Sequence, residues 1–316
     1  MTSVSVVKSA SGTVPTGEAL LARLATGRGV FAVVVLAAGF GWLFQHWFVA
    51  QALLSLGDGN WSHSFAVPLI SGYLLWRGRG GLAGAVVRPF WPGLVALLTG
   101  VTCYVFFLVG VQNHMGQGWS MVLTLMGLVL LVCGPGVMGA GFWPLAYLMF
   151  GVTVAEKIML EVTFPLQNLA SGGAYVLLTL CGLNVDLSGN IITIIDSQGE
   201  PHAMNVAQAC SGMRMLIAFL ALGAAVGLVG CPRWWQRVTL LATAVPVALL
   251  LNMFRVAILG VAILFNPNLA EGEAHMWIGT VLLVPGFFVY MGLMWILNHV
   301  VRDDVPGASR AAGGGA

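Results

Sequence analysis

Three residues of this chain have the chemistry of a catalytic set, and bulk hydrophobicity explains the position of none of them: Cys210, Arg255 and His275. Cys210 lies in Ala209-Cys210-Ser211-Gly212-Met213-Arg214, where a polar stretch passes into a long apolar run, so the pattern predicts a thiol at the start of a membrane helix. The thiolate is the nucleophilic form, and a helix N-terminus, an arginine or an imidazolium each lowers a thiol pKa from about 8.5. Ser211 and Gly212 offer backbone N–H groups to an anionic intermediate, and Gly212 has no side chain to obstruct a substrate. Arg255 is suited to stabilise an oxyanion. His275 is suited to give and take protons. Arg214, one turn after Cys210 on the same face, either orients the catalytic groups or pairs with an acid.

Each of these residues also has a plainer reading. An arginine inside an apolar segment costs on the order of 2.5 to 3.5 kcal/mol by insertion scales and should face the bundle interior or a water-filled cavity. Snorkelling to lipid phosphates is the alternative for Arg255. Asn252, three residues earlier on the same face, argues for the interior, because it too needs a polar partner. His275 follows Glu271 and Glu273 and opens an apolar segment; alone it would be an ordinary interfacial histidine, but its depth matches that of Cys210.

The elements that must position these residues are membrane helices. Of the 316 residues 59% are hydrophobic and only 8% charged, against roughly 25% charged in a soluble domain, so the chain reads as an all-α polytopic membrane protein. The net charge of +2 carries no nucleic-acid signature. The five cysteines include no CxxC pair and no histidine at zinc-finger spacing, so no disulfide framework, metal site or cofactor is expected. Residues 1–28 read as a loosely ordered cytoplasmic leader, 29–300 as one transmembrane domain and 301–316 as a cytoplasmic tail. No cleavable signal peptide is expected, because the first apolar run begins near Val30 and is long enough to span.

Eight spans are expected, near residues 30–53, 61–76, 92–111, 119–133, 142–155, 210–229, 238–265 and 275–296. The stretch 158–182, broken by Glu161, Pro165, Gln167 and Asn168, is expected to lie in the interface or re-enter the membrane. Asn190–Ile195 is strand-like, Asp196–Gly199 is a turn and His202–Val206 is a returning strand, which predicts a small extracytoplasmic β-ribbon just before Cys210. This arrangement puts ten of the 13 basic residues in the cytoplasm, with Lys157 outside and Arg214 and Arg255 inside helices. By the positive-inside rule, Cys210 and His275 then lie at the outer face.

The residues also carry a family likeness. The sequence resembles the exosortase/archaeosortase proteins over roughly residues 30–298, in Ala209 to Arg214, in Asn252-Met253-Phe254-Arg255 and in His275-Met276-Trp277-Ile278-Gly279, occurring in that order. Ser62-His63-Ser64-Phe65-Ala66-Val67-Pro68 is similar to the family's Ser-His-Gly-x-x-x-Pro stretch, with Ser64 in place of the glycine. The resemblance implies a cysteine transpeptidase or protease of the bacterial inner membrane, with Cys210, Arg255 and His275 as the catalytic set and His63 as a supporting or merely interfacial group. Its partners would be exported proteins ending in a short motif (Pro-Glu-Pro in the bacterial type), a transmembrane helix and a basic cluster. A thioester on Cys210 would pass to water or to a cell-surface acceptor, a glycan or a lipid.

Three other classes compete. A transporter would use Arg255 and His275 to bind an anion or relay protons, yet it needs no cysteine at a helix start, and no convincing inverted repeat is visible. A thiol redox protein would pair Cys181 with Cys210. An assembly scaffold would tolerate loss of Arg255.

Overall fold

The computed structural model describes residues 8–9, 12–13, 16–24, 26–57, 59–206, 213–266 and 281–300. Two two-residue strands, β1 (Lys8–Ser9) and β2 (Gly12–Thr13), precede helix α1 (Gly17–Leu24). Helix α2 (Gly27–Leu43) starts where Thr26 Oγ1 accepts a hydrogen bond from the Gly29 N–H, and α3 (Gln45–Gly57) follows it. The predicted single span 30–53 is therefore two helices, bent by 67°. At the break Phe44 is fully buried, its ring edge-on to Tyr104 at 4.5 Å.

A 3₁₀ segment, Gly59–Phe65, leads into α4 (Ala66–Arg77) and the short α5 (Arg79–Gly84). Helices α6 (Pro92–Val105) and α7 (His114–Cys133) make the most extensive helix–helix contact among the described residues. α7 begins earlier than the expected 119 because Asn113 caps it, its Oδ1 accepting from the Gly116 N–H at 3.0 Å. Lipid tails are as apolar as leucine, so van der Waals packing rather than hydrophobic burial must hold such a pair together. Gly127 of α7 lies so close to α6 that a Cβ there would overlap the Leu97 backbone. Replacing Gly127 by valine is expected to cost about 3 kcal/mol by overpacking. Gly172 has no atom within 4 Å of where its Cβ would lie, and its replacement by alanine should be neutral or slightly stabilising. Thermal unfolding in detergent of the two variants checks the contrast.

Helix α8 (Pro135–Tyr147) and the 3₁₀ turn Leu148–Gly151 meet α9 (Glu156–Leu180) across an 81° bend, the geometry of a broken span or a re-entrant loop. The stretch 158–182 is thus mostly one continuous helix that runs through Pro165. By length and composition three helices can cross a membrane, Pro92–Gly110, His114–Cys133 and Trp234–Phe265, and up to five spans result if each bent pair counts as one. The apolar helix at Met215–Gly230 falls below that length. The expected eight spans are therefore met in part, because several expected spans are broken or short.

The β-ribbon forms and is larger than expected. Strands β3 (Asn184–Ser188), β4 (Ile191–Ile195) and β5 (Pro201–Asn205) make an antiparallel meander in which Asp186 faces Thr193 and Ile194 faces His202. Asp196 shapes the β4–β5 turn: its Oδ1 accepts from the N–H groups of Gln198 and Glu200, and its Oδ2 accepts from His202 Nε2 at 3.1 Å. The His202 bond, joined by those of Glu200 and Gln198, holds the Asp196 carboxyl below its ordinary pKa.

The rest is a helical bundle under this sheet: α10 (Met213–Gly230), α11 (Trp234–Ala242), α12 (Ala244–Phe265) and α13 (Leu283–Val300). Along α12 the buried positions Ala244, Ala248, Leu251, Asn252, Arg255, Val256, Leu259 and Ile263 recur every three or four residues. At one end of α12, Ala244, Ala248 and Leu251 share a core with Phe219 of α10 and Tyr290 of α13. At the other, Val256, Leu259 and Ile263 share a core with Leu178 of α9 and with Ile192, Ile194 and Val206 of the sheet.

Candidate active site

Arg255 and Asn252 sit at the junction of those two cores. The apolar stripe of α12 is interrupted by just these two polar residues, which are 3% and 1% exposed. The structure thus places Arg255 in the bundle interior rather than toward lipid. Neither amide atom of Asn252 has a hydrogen-bond partner among the described residues. A buried amide group left so costs about 1 to 3 kcal/mol. A void of about 10 Å³ lies beside it, lined by Leu166 of α9, Leu216 of α10, and Ala248, Leu249 and Asn252 of α12.

The register of the helical hairpin sets the depth of the pair. Near the α10–α11 turn, a Cβ on Gly227 would lie 3.4 Å from the Arg237 Cα, and one on Gly223 would lie 3.2 Å from the Leu240 carbonyl oxygen. Two turns further from the turn, Leu216 meets Ala248 and Asn252 around the void. The two helices thus run antiparallel, and Asn252 lies level with the first turn of α10. Arg255 is three residues further along α12 on the same buried face.

The predicted nucleophile and its neighbours Ser211 and Gly212 lie outside the described residues, as does His275. Arg214 is the second residue of α10. The chain leaves the sheet at Val206, which is fully buried in the same core as Val256, and the next described residue is Met213.

His63 lies on the 3₁₀ segment Gly59–Phe65, half-buried, with its ring 5.9 Å from that of Trp61. That segment packs against α10, and Trp61 belongs to the same core as Met215 and Leu216. Ser64, standing where a glycine is expected, shares a 2.7 Å hydrogen bond with Ser55.

This last contact opens onto a polar network that sequence reading missed. Gln51 donates from Nε2 to Ser55 Oγ at 3.1 Å. Its Oε1 accepts from the Thr153 N–H at 3.3 Å and from Thr153 Oγ1 at 2.9 Å. Because the Thr153 N–H can only donate, the amide orientation is determined, and His114 Nε2, 2.8 Å from Oε1, must carry its proton. Gln51, Ser55 and Ser64 form the polar wall of an otherwise apolar cavity of about 370 Å³ between α2, α3, α4 and α7. The signal was available as Gln51 and Ser55, four apart inside an apolar run, hence on one helix face.

Among the described residues no group of three or more His, Cys, Asp or Glu is placed to hold a metal ion. Cys103, Cys133, Cys181 and Cys231 are free thiols, Cys181 exposed and Cys231 buried.

These elements define a polytopic integral membrane protein whose helices carry a buried arginine beneath a small sheet. The family profile described as transmembrane exosortase matches residues 54–296, and the chain belongs to that family. Searches of curated proteins and of solved structures found no match.

Proposed function

We propose that this exosortase is a membrane-embedded cysteine transpeptidase or peptidase that cleaves the C-terminal sorting signal of exported proteins. The observation that supports the reading is the burial of Arg255 on the same face of α12 as Asn252, which meets Leu216 in the first turn of α10. Chain reach supports it: Cys210 is three residues from Met213, and so within about 11 Å of its Cα. The sheet, Cys210 and His275 are assigned to the extracytoplasmic face of the bacterial inner membrane, in an eight-crossing arrangement consistent with the positive-inside rule.

The chemistry follows from these assignments. The Cys210 thiolate attacks the carbonyl carbon of the scissile peptide. Arg255, with the backbone N–H groups of Ser211 and Gly212, stabilises the negative charge that develops on the carbonyl oxygen. The C–N bond breaks and His275 protonates the leaving amine, which departs as the N-terminus of the substrate's membrane helix. Water or an acceptor nucleophile, deprotonated by His275, then attacks the thioester and restores the thiol. Arg214, Asn252 and His63 are assigned supporting positions around these groups. A partner helix standing in the same membrane would present its outer juxtamembrane motif at this depth without leaving the bilayer.

The test is co-expression with an exported reporter ending in a short motif, an apolar helix and a basic cluster. Loss of the helix from the reporter, read by intact mass, is expected with the motif and not when the motif is scrambled. Equal processing of both reporters, or of neither, counts against the proposal. The competing transport reading predicts no covalent change in any reporter.

A further inference from the structure

We infer that a second site, at the opposite end of α10 from the Cys210 motif, binds an anionic membrane phospholipid. A cavity of about 310 Å³ opens between α8, α10 and α11, walled by Tyr147, Phe150, Ala224, Leu228, Val238 and Leu241. It is a built slot. Tyr147 is buried and donates from its hydroxyl to the Ala221 carbonyl at 3.2 Å, tying α8 to α10. Gly227 lets α11 approach α10 until Arg237 lies against it.

The slot is apolar throughout its length except at the α10–α11 turn, where Trp234 and Arg237 line it. Arg237 is half-buried, and its Nε donates to the Cys231 carbonyl at 2.9 Å, which fixes the guanidinium plane at the slot's mouth. That bond leaves both terminal nitrogens of the fork for another acceptor. Among the described residues no carboxylate forms an ion pair with Arg237. Trp234, 72% exposed, lies beside it with Arg233 at the head of α11, the grouping expected at a membrane interface.

Charge and shape together select the occupant. A cation with no acidic partner among the described residues, continuous with an apolar slot of about 310 Å³, matches a molecule with an anionic headgroup and an acyl chain. Basic pockets between membrane helices bind such headgroups in this way. The guanidinium fork would take the phosphate in a bidentate grip, and the acyl chain would lie against Ala224 and Leu228. This site is independent of the reaction assigned to Cys210.

The test uses the full-length protein, delipidated in detergent and titrated with phosphatidylglycerol, with phosphatidylcholine or with inorganic phosphate. Bound lipid is counted by native mass spectrometry, and thermal unfolding is followed in parallel. Phosphatidylglycerol is expected to be retained and to raise the unfolding temperature, with phosphatidylcholine and phosphate alone doing neither. Arg237→Gln is expected to weaken retention roughly fivefold or more, and Arg237→Lys to restore part of it. Ala224→Phe, which fills the slot but keeps the charge, should weaken retention as well. If one of these variants fails to fold, the other and the three-ligand comparison on the unaltered protein still decide. Equal retention of the two lipids, wild-type retention by Arg237→Gln, or full protection by phosphate alone would overturn the assignment.

Discussion

Cys210→Ala is expected to end processing of a sorting-signal reporter, with a loss on the order of 10⁵- to 10⁶-fold, as when the nucleophile of a hydrolase is removed. The same change should leave folding and membrane insertion intact. It alters one small side chain between Val206 and Met215, both of which are buried. Cys210→Ser should be nearly as inactive, because a hydroxyl at its ordinary pKa is far less nucleophilic than the thiolate proposed for Cys210. Reporter cleavage in cells, measured beside the amount of protein in the membrane fraction, checks both variants. A transporter or scaffold would work normally with alanine at 210, and that result would remove the cysteine from the mechanism.

Thiol labelling separates the nucleophile from its background. Cys181 is an exposed free thiol at the sheet side of α9, so it supplies a reference thiol within the same molecule. Labelling at mildly acidic pH should modify Cys210 well before Cys181.

What was legible in the sequence is what one residue can announce by itself. Arg255 stood out because a cation in an apolar run needs a reason, and the hairpin at Asp196–Gly199 stood out because β-branched residues flanked turn residues. Strand β3 was not seen, since Asn184-Val185-Asp186-Leu187-Ser188 gains its meaning only by pairing with β4. The bend at Phe44 carries no proline or charge and shows itself only once that ring meets Tyr104. The Gln51 network and the Arg237 slot are assembled from segments up to a hundred residues apart, each with one or two polar residues that a hydropathy average absorbs.

The second large effect concerns Arg255 and separates catalysis from stability. Replacing a whole buried ion pair by apolar residues of similar volume is often neutral or stabilising, whereas removing a single buried charge from its partner costs about 3 to 5 kcal/mol. Arg255 is 3% exposed, at a junction flanked by the all-apolar positions Leu251, Val256 and Leu259. Arg255→Met is therefore expected to lower the unfolding temperature. Its turnover should fall as well, by roughly 10²- to 10³-fold, the usual effect of losing one oxyanion donor. The loss should appear in kcat rather than KM, because the charge it stabilises exists only in the transition state. Arg255→Lys keeps the charge but loses the planar fork, so it should recover stability without recovering most of the rate. A guanidinium that only held helices together would behave differently, with lysine restoring stability and rate together. Unfolding temperature and single-turnover cleavage, measured on the same three preparations, distinguish the two.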